Sequence, residues 1–323
     1  MTKKVLLIPN MPHWSVDKCA HDLVKYNKSN LQLDIVYYEE FLKNRHRYCE
    51  EYDLLYPMVN LVFLEFLKRD IPTDKMITAV LSFTSMGKGK TLPPGYDMKP
   101  PGGHIRQLKK ALLVNTICKK FWYVLSEYLR VVDTKYTCDL ELFYPDKKPR
   151  TTDKLVVGWT GSLTNNGDVR GIEDILEPAC REVKGIELKI QCVERNEWIT
   201  DDDRMREYYN SLDLYVCASK NEGTPRSAME AAACGVPVLS TDVGIMPEVI
   251  ENGIHGYIIE RSIPAFVEKL EYFAANRYAL SEMGRRIRQR MEHDFNWRDI
   301  IWQWTDYFNY ALELYRLREE GLV

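Results

Sequence analysis

No apolar run in the chain approaches the roughly 20 residues that a bilayer-spanning helix needs, so a helical membrane protein is excluded. The N-terminal MTKKVLLIPNMPH lacks a signal-peptide h-region and cleavage site, and no secretory route is expected. The eight cysteines, at 19, 49, 118, 138, 180, 192, 217 and 234, include no Cys-x-x-Cys pair and no zinc-ligand spacing. Dispersed in this way, they read as small buried hydrophobes of a protein in the reducing cytoplasm. No metal site is expected, since the adjacent acids Asp201, Asp202 and Asp203 cannot all face one ion and read as a solvated loop or helix cap. Net charge is low, at −3, yet uneven: segment 81–150 has 13 basic and 6 acidic residues, and the remainder after it 20 and 30. The basic excess admits an anionic partner, a nucleic acid or a membrane-surface lipid with peripheral attachment, beside the plainer reading of a solvated face.

What is present is an alternation. KKVLLIP (3–9), LQLDIVYY, YDLLYPM and KMITAVLSF read as strands. Between them lie a helix opened by Ser15, with Val16, Cys19, Ala20, Leu23 and Val24 on one face, and the helical pattern VNLVFLEFLKRD. Such alternation implies a parallel sheet covered on both faces. SMGKGKTLPPGYDMKPPGGH (85–104) is too rich in Gly and Pro to be regular, and a helix-rich segment follows to about residue 130. After the polar linker DKKPRTTDK (146–154), KLVVGWTGS restarts the strand pattern, and a second α/β unit runs to about residue 294. The last stretch is helical, with Trp297, Ile300, Ile301, Trp304, Phe308, Leu312 and Tyr315 in one packing stripe. The expected divisions are 1–148, 149–296 and a final helix, 297–323.

Chemistry concentrates in NEGTPRSAMEAAACG (221–235), which follows the strand-like LDLYVCAS. Thr224 is suited to the N-cap and Pro225 to the first helical position, and Gly235 to a left-handed C-terminal turn. Glu222 then stands on the loop at the carboxyl end of a strand and Glu230 inside the helix. An anion on the free N–H groups of that helix start is stabilised by hydrogen bonds and by the helix dipole. The two carboxylates reach beyond either end of it, and each can accept from a vicinal diol. Ribose, diphosphate and sugar have that order. Upstream, small residues at Gly158, Gly161 and Ser162 in GWTGSLTNNGDVRG (158–171) let backbone N–H groups approach an anion closely.

The run SKNEGTPRSAMEAAACGVPVLSTDVGIMPEVIENGIHGYII resembles the donor-site signature of the retaining family 4 glycosyltransferases (glycosyl transferases group 1). It has the first Glu, seven intervening residues, the second Glu, the Gly-x-Pro strand and the Pro-Glu helix start. The resemblance is strong from about 153 to 260; the first half matches in layout more than in residues, with Asp139, Phe143 and Pro145 at the junction. It implies an α/β GT-B fold, two Rossmann-like parallel-sheet domains facing a cleft, with a C-terminal helix returning to the first domain. The first domain would take the acceptor and the second a UDP- or GDP-linked sugar, in a retaining, metal-independent transfer without a cofactor. Glu222 would contact the transferred sugar and Glu230 the ribose, with Gly223, Thr224 and Pro225 beside the diphosphate. Arg170, before Gly171, fits one of two cations that this turn gives the diphosphate in the family. Ser162 stands where the other is usual, leaving Arg226 or Lys220 as substitutes.

Other departures lie in the first half. PNMPHWS is bulkier than the family's usual glycine pair, and SFTS ends without the usual His. His13, taken as catalytic, and His104 are acceptor-side candidates by location; His21, His46, His255 and His293 read as surface or packing residues. The acceptor is a hydroxyl of a glycan or lipid-linked sugar, or, given the basic segment, of a hydroxymethylated base as in viral DNA glycosyltransferases. A non-catalytic sugar-nucleotide-binding protein would keep the same acids.

Overall fold

The computed structural model describes residues 2–81, 102–146, 152–163, 169–195 and 199–323. Most of the Gly/Pro-rich stretch and part of the polar linker therefore lie outside the described residues, and with them much of the basic 81–150 segment. Two compact units emerge: Met1–Tyr136 together with Trp297–Val323, and Thr137–Asn296.

In the first unit β1 (Lys4–Ile8), β2 (Gln32–Ile35) and β3 (Leu54–Pro57) pair in the order β2-β1-β3. The next three, β4 (Ile77–Val80), β5 (Leu113–Thr116) and β6 (Val131–Asp133), pair in the order β4-β5-β6. All these pairings are parallel, and a parallel bridge between Leu55 and Met76 links the two triplets. LLYP, ITAV and LVNT are buried at every position, the pattern of strands covered on both faces. The helix-rich segment to residue 130 holds the helices Gly102–Leu108 and Lys119–Ser126 with the strand LVNT between them, paired with β4. One expectation is corrected: Val24 is 40% exposed, so the first helix, Ser15–Tyr26, buries a narrower face through Cys19, Ala20 and Leu23.

The C-terminal helix, Trp297–Glu319, buries Trp297, Ile300, Ile301, Trp304, Tyr307, Phe308, Ala311 and Leu314 in the core of this first unit. Both indoles satisfy their polar edges. Trp304 Nε1 donates to the Lys135 carbonyl at 2.9 Å and Trp297 Nε1 to the Asp22 carboxylate at 3.2 Å. Leu312 and Tyr315 are only partly buried, since the stripe runs through Ala311 and Leu314 instead.

The second unit is one parallel sheet of β7 (Leu155–Gly161), β8 (Ile186–Cys192), β9 (Leu214–Cys217), β10 (Val238–Thr241) and β11 (Gly256–Ile259), in the order β11-β10-β9-β7-β8. The chain leaves β7 for β8 on one side and returns to β9 on the other. Strand order therefore reverses between β7 and β9, and the crevice at the carboxyl ends of such a pair is where open α/β sheets bind ligands. The boundary between units falls at Tyr136/Thr137 rather than at 148. Phe143 is why: its carbonyl accepts from Arg288 at 2.8 Å and its ring meets Tyr209 edge-on. Asp201 caps the helix Asp202–Asn210 by accepting the Arg204 N–H at 2.9 Å. Seven of the eight cysteines are buried and Cys49 is half-buried.

Candidate functional site

Two loops meet at the switch point. The turn before the π-helical segment Ile172–Leu176 brings Val169 to the strand-end loop, where its carbonyl accepts the Lys220 N–H at 2.7 Å. Gly171, at φ 75°, lies so close beneath Ala218 that a Cβ would overlap the Ala218 carbonyl oxygen. This approach sets Arg170 Nη1 on Glu222 Oε1, an ion pair whose carboxylate also accepts from Ser219 Oγ at 3.0 Å. On the opposite side Gly244, at φ 47°, presses on the Gly223 carbonyl, which accepts the Ile245 N–H at 2.8 Å. A side chain at 244 would displace the Glu222–Gly223 backbone, and one at 171 the Ala218 carbonyl.

The helix beyond that loop is Arg226–Ala233. Pro225 occupies the N-cap position with no side-chain cap bond, which corrects the placement of Thr224 there; Gly235 takes the left-handed turn, at φ 73°. Thr224 Oγ1 is buried without a hydrogen-bond partner, and so is Arg170 Nε. Buried polar atoms are ordinarily paired. Arg170 is the ion-pair partner of Glu222, and Thr224 follows Glu222 by two residues on the same loop.

Glu230 is placed differently. Its Oε1 accepts from Arg226 Nε at 2.8 Å and its Oε2 from the Tyr209 hydroxyl at 2.8 Å. Both members of the ion pair have side chains only 7% exposed. Burial, reinforced by the Glu230 charge, pushes the Tyr209 hydroxyl well above its ordinary range, so it stays a donor. The Arg226 side chain thus holds Glu230 through Nε. Ser162 Oγ donates to Glu194 Oε1 at 2.6 Å, while the Leu163 N–H donates to Oε2 at 2.9 Å; Glu194 was not among the expected site residues. Gly161 ends β7, and Lys220 is exposed.

His13 belongs to the first unit. Its backbone is left-handed, at φ 65°, and its N–H donates to the buried Asp17 carboxylate at 2.7 Å, which also accepts the Tyr37 hydroxyl at 2.9 Å. His104 lies in the helix Gly102–Leu108. Tyr209, Gly244 and Glu194 are the site residues that sequence reasoning missed.

Two sheets of parallel strands with flanking helices, and a C-terminal helix that rejoins the first, define a GT-B protein. Sucrose-phosphate synthase from Thermosynechococcus elongatus superposes with a TM-score of 0.76 at 15% identity, over 96% of this chain and 99% of that one. Anabaena Alr3699/HepE, solved in complex with UDP-glucose, superposes with a TM-score of 0.70 at 11% identity, over 95% and 99%. Residues 194–291 match the model of the family described as Glycosyl transferases group 1, and this segment is a group 1 glycosyltransferase segment. The D-inositol 3-phosphate glycosyltransferase of Streptomyces bingchenggensis is 25% identical over 172 residues, 53% of this chain and 36% of that protein. The capsular polysaccharide biosynthesis glycosyltransferase CapM of Staphylococcus aureus is 31% identical over 97 residues, 30% of this chain and 25% of that protein. The chain thus spans about a third or less of these two curated relatives. Among the described residues no helix is long and apolar enough to cross a membrane.

Proposed function

We propose that the protein is a retaining glycosyltransferase that moves a sugar from a nucleoside-diphosphate sugar to an acceptor hydroxyl. The observation that carries this is the Arg170–Glu222 ion pair at the switch point, with two buried donors, Arg170 Nε and Thr224 Oγ1, left without a partner. Each is a hydrogen-bond donor, and the phosphates of a nucleoside-diphosphate sugar are acceptors. The names of solved neighbours, which include complexes with UDP and with UDP-glucose, support the donor class.

In the proposed reaction the bond from the anomeric carbon to the donor's phosphate oxygen breaks as the acceptor oxygen bonds to the same face. The acceptor proton passes to the departing phosphate, and no protein nucleophile or metal is called for. Charge accumulates on the leaving diphosphate, so Arg170 and the N–H groups at the start of Arg226–Ala233 act mainly in the transition state. Glu222 orients the sugar. The acceptor is assigned to the first unit.

The test is a thermal-shift screen of UDP, GDP and their sugars, followed by mass spectrometry of products in the presence and absence of EDTA. A rise in melting temperature with one nucleotide class, and EDTA-insensitive transfer to a glycan, lipid-linked or hydroxymethylated-base acceptor, is expected. Binding without transfer to any of these would favour a sugar-nucleotide-binding protein, and no binding would remove the reading altogether.

A further inference from the structure

An ionised carboxylate offers about four lone-pair positions, two on each oxygen. In Glu230 one on Oε1 is taken by Arg226 Nε and one on Oε2 by the Tyr209 hydroxyl, each at 2.8 Å. One position per oxygen remains. That is the number, and the spacing, that a vicinal diol fills.

The two donors are not free to wander. Tyr209, fully buried near the end of Asp202–Asn210, is held edge-on between the rings of Phe143 and Tyr215, both with centroids 6.0 Å away. Its hydroxyl therefore has one address. Arg226 stands one helical turn before Glu230 on the same helix, and its Nη1 reaches the Thr137 carbonyl at 3.4 Å, which steadies the guanidinium from its far side. A carboxylate gripped at both oxygens has lost its torsional freedom before any ligand arrives, so ordering it on binding costs little.

We propose that Tyr209 and Arg226 are positioning residues that fix the Glu230 carboxylate so that its two open lone pairs receive the 2′ and 3′ hydroxyls of a ribonucleotide. The site is thereby selective for ribonucleotide over deoxyribonucleotide donors. This rests on the nucleotide-sugar reading above and goes beyond it, because it places specificity in two side chains that touch no ligand.

The experiment is calorimetric titration of UDP, 2′-deoxy-UDP and 3′-deoxy-UDP, with the guanosine series in parallel, into the wild type, Tyr209→Phe and Arg226→Lys. In the wild type the ribonucleotide is expected to bind at least about tenfold more tightly than either deoxy analogue, since each lost hydroxyl forfeits a bond to a charged group. In Tyr209→Phe, ribonucleotide affinity should fall about five- to tenfold and the analogues by less than about twofold, so that selectivity collapses. Arg226→Lys keeps the charge but loses the fork, and should show the same selective loss. A merely structural role would weaken all three nucleotides alike, and that result overturns the proposal. So does a wild type that binds UDP and its deoxy analogues equally, with the nucleotide-sugar reading left standing. If neither UDP nor GDP binds the wild type, both fall together. Should Tyr209→Phe not fold, the wild-type selectivity and Arg226→Lys decide the matter.

Discussion

The second unit carries two arginine–glutamate pairs, alike in chemistry and opposite in setting. Arg226–Glu230 lies within one helix, with both side chains 7% exposed and each carboxylate oxygen already holding a donor. Arg170–Glu222 joins two loops at the carboxyl edge of the sheet, with side chains 32% and 14% exposed and the Arg170 Nε unpaired. A buried pair whose charges are mutually satisfied is held firmly, because removing either member strands the other in a medium of low dielectric, and this one fixes the Glu230 carboxylate before a ligand arrives. The pair at the sheet edge is looser and leaves a donor unmet. Position at a switch point alone would not distinguish them; the state of their hydrogen-bonding atoms does.

The contrast predicts how each pair fails. Arg226→Ala should lower the unfolding free energy by about 3–5 kcal/mol, the usual effect of leaving one buried partner unpaired. Replacing both members together, Arg226→Met with Glu230→Leu, should recover most of that. Urea denaturation of the three proteins is the measurement, and an unaltered midpoint in Arg226→Ala would show that burial of this pair does not hold Glu230 in place. Glu230→Ala has the same confound, so Glu230→Gln is the better probe of ribose binding.

At the open pair the loss should appear in turnover. Glu222→Gln keeps the size and much of the hydrogen bonding but not the charge, and turnover should drop on the order of 100-fold while donor affinity changes only a few-fold. Product formation at saturating donor, set against a calorimetric dissociation constant, separates the two; equal losses would sink the catalytic role. Arg170→Ala comes next, with turnover down by well over about tenfold. Because the pair is partly solvated, its stability should change by no more than about 1 kcal/mol. An Arg170→Ala protein that unfolds early and turns over normally would exchange the roles of the two pairs.

How much of this was legible beforehand follows from range. β7, β9 and the helix after Pro225 could be read because strand, loop and helix residues sit side by side in the sequence. β5 could not, since LVNT between two lysine pairs is too short for periodicity to tell a buried strand from a helical turn, and pairing with β4 decides. The Arg226–Glu230 contact is visible as a four-residue helical spacing, yet the resemblance, with no cation at Ser162, points to Arg226 as a phosphate ligand. Tyr209 was hidden for another reason. It lies 21 residues before Glu230, on a different helix, and no local pattern announces a partner that only the tertiary fold supplies. Gly244 left a fainter signal, a lone glycine between apolar residues ahead of a Pro-Glu helix start, and only its approach to Gly223 explains it.

The smallest effect sharpens the comparison from the alkaline side. Burial and the adjacent Glu230 carboxylate hold the Tyr209 hydroxyl far above its ordinary range, near 10 in an unfolded chain. Below about pH 10 both folded and unfolded chains keep that proton, and its contribution to stability is complete. Above it the unfolded chain releases the proton while the folded one retains it, so the unfolded state binds fewer protons and stability falls as pH rises. One such tyrosine contributes a slope of about 1.4 kcal/mol per pH unit. Tyr56 and Tyr307, also raised by burial, add theirs in the first unit and are common to every variant. Tyr209→Phe loses a buried hydrogen bond, so its stability starts lower at neutral pH. Its decline between about pH 10 and 11 should nevertheless be shallower than that of the wild type by about 1.4 kcal/mol per unit. No tyrosine hydroxyl among the described residues bonds to Glu222, so Arg170→Ala should keep the wild-type slope. Urea unfolding at half-unit steps across that range measures it. Parallel lines for wild type and Tyr209→Phe would show that the hydroxyl is not locked on Glu230, and the closed pair would lose the feature that sets it apart from the open one.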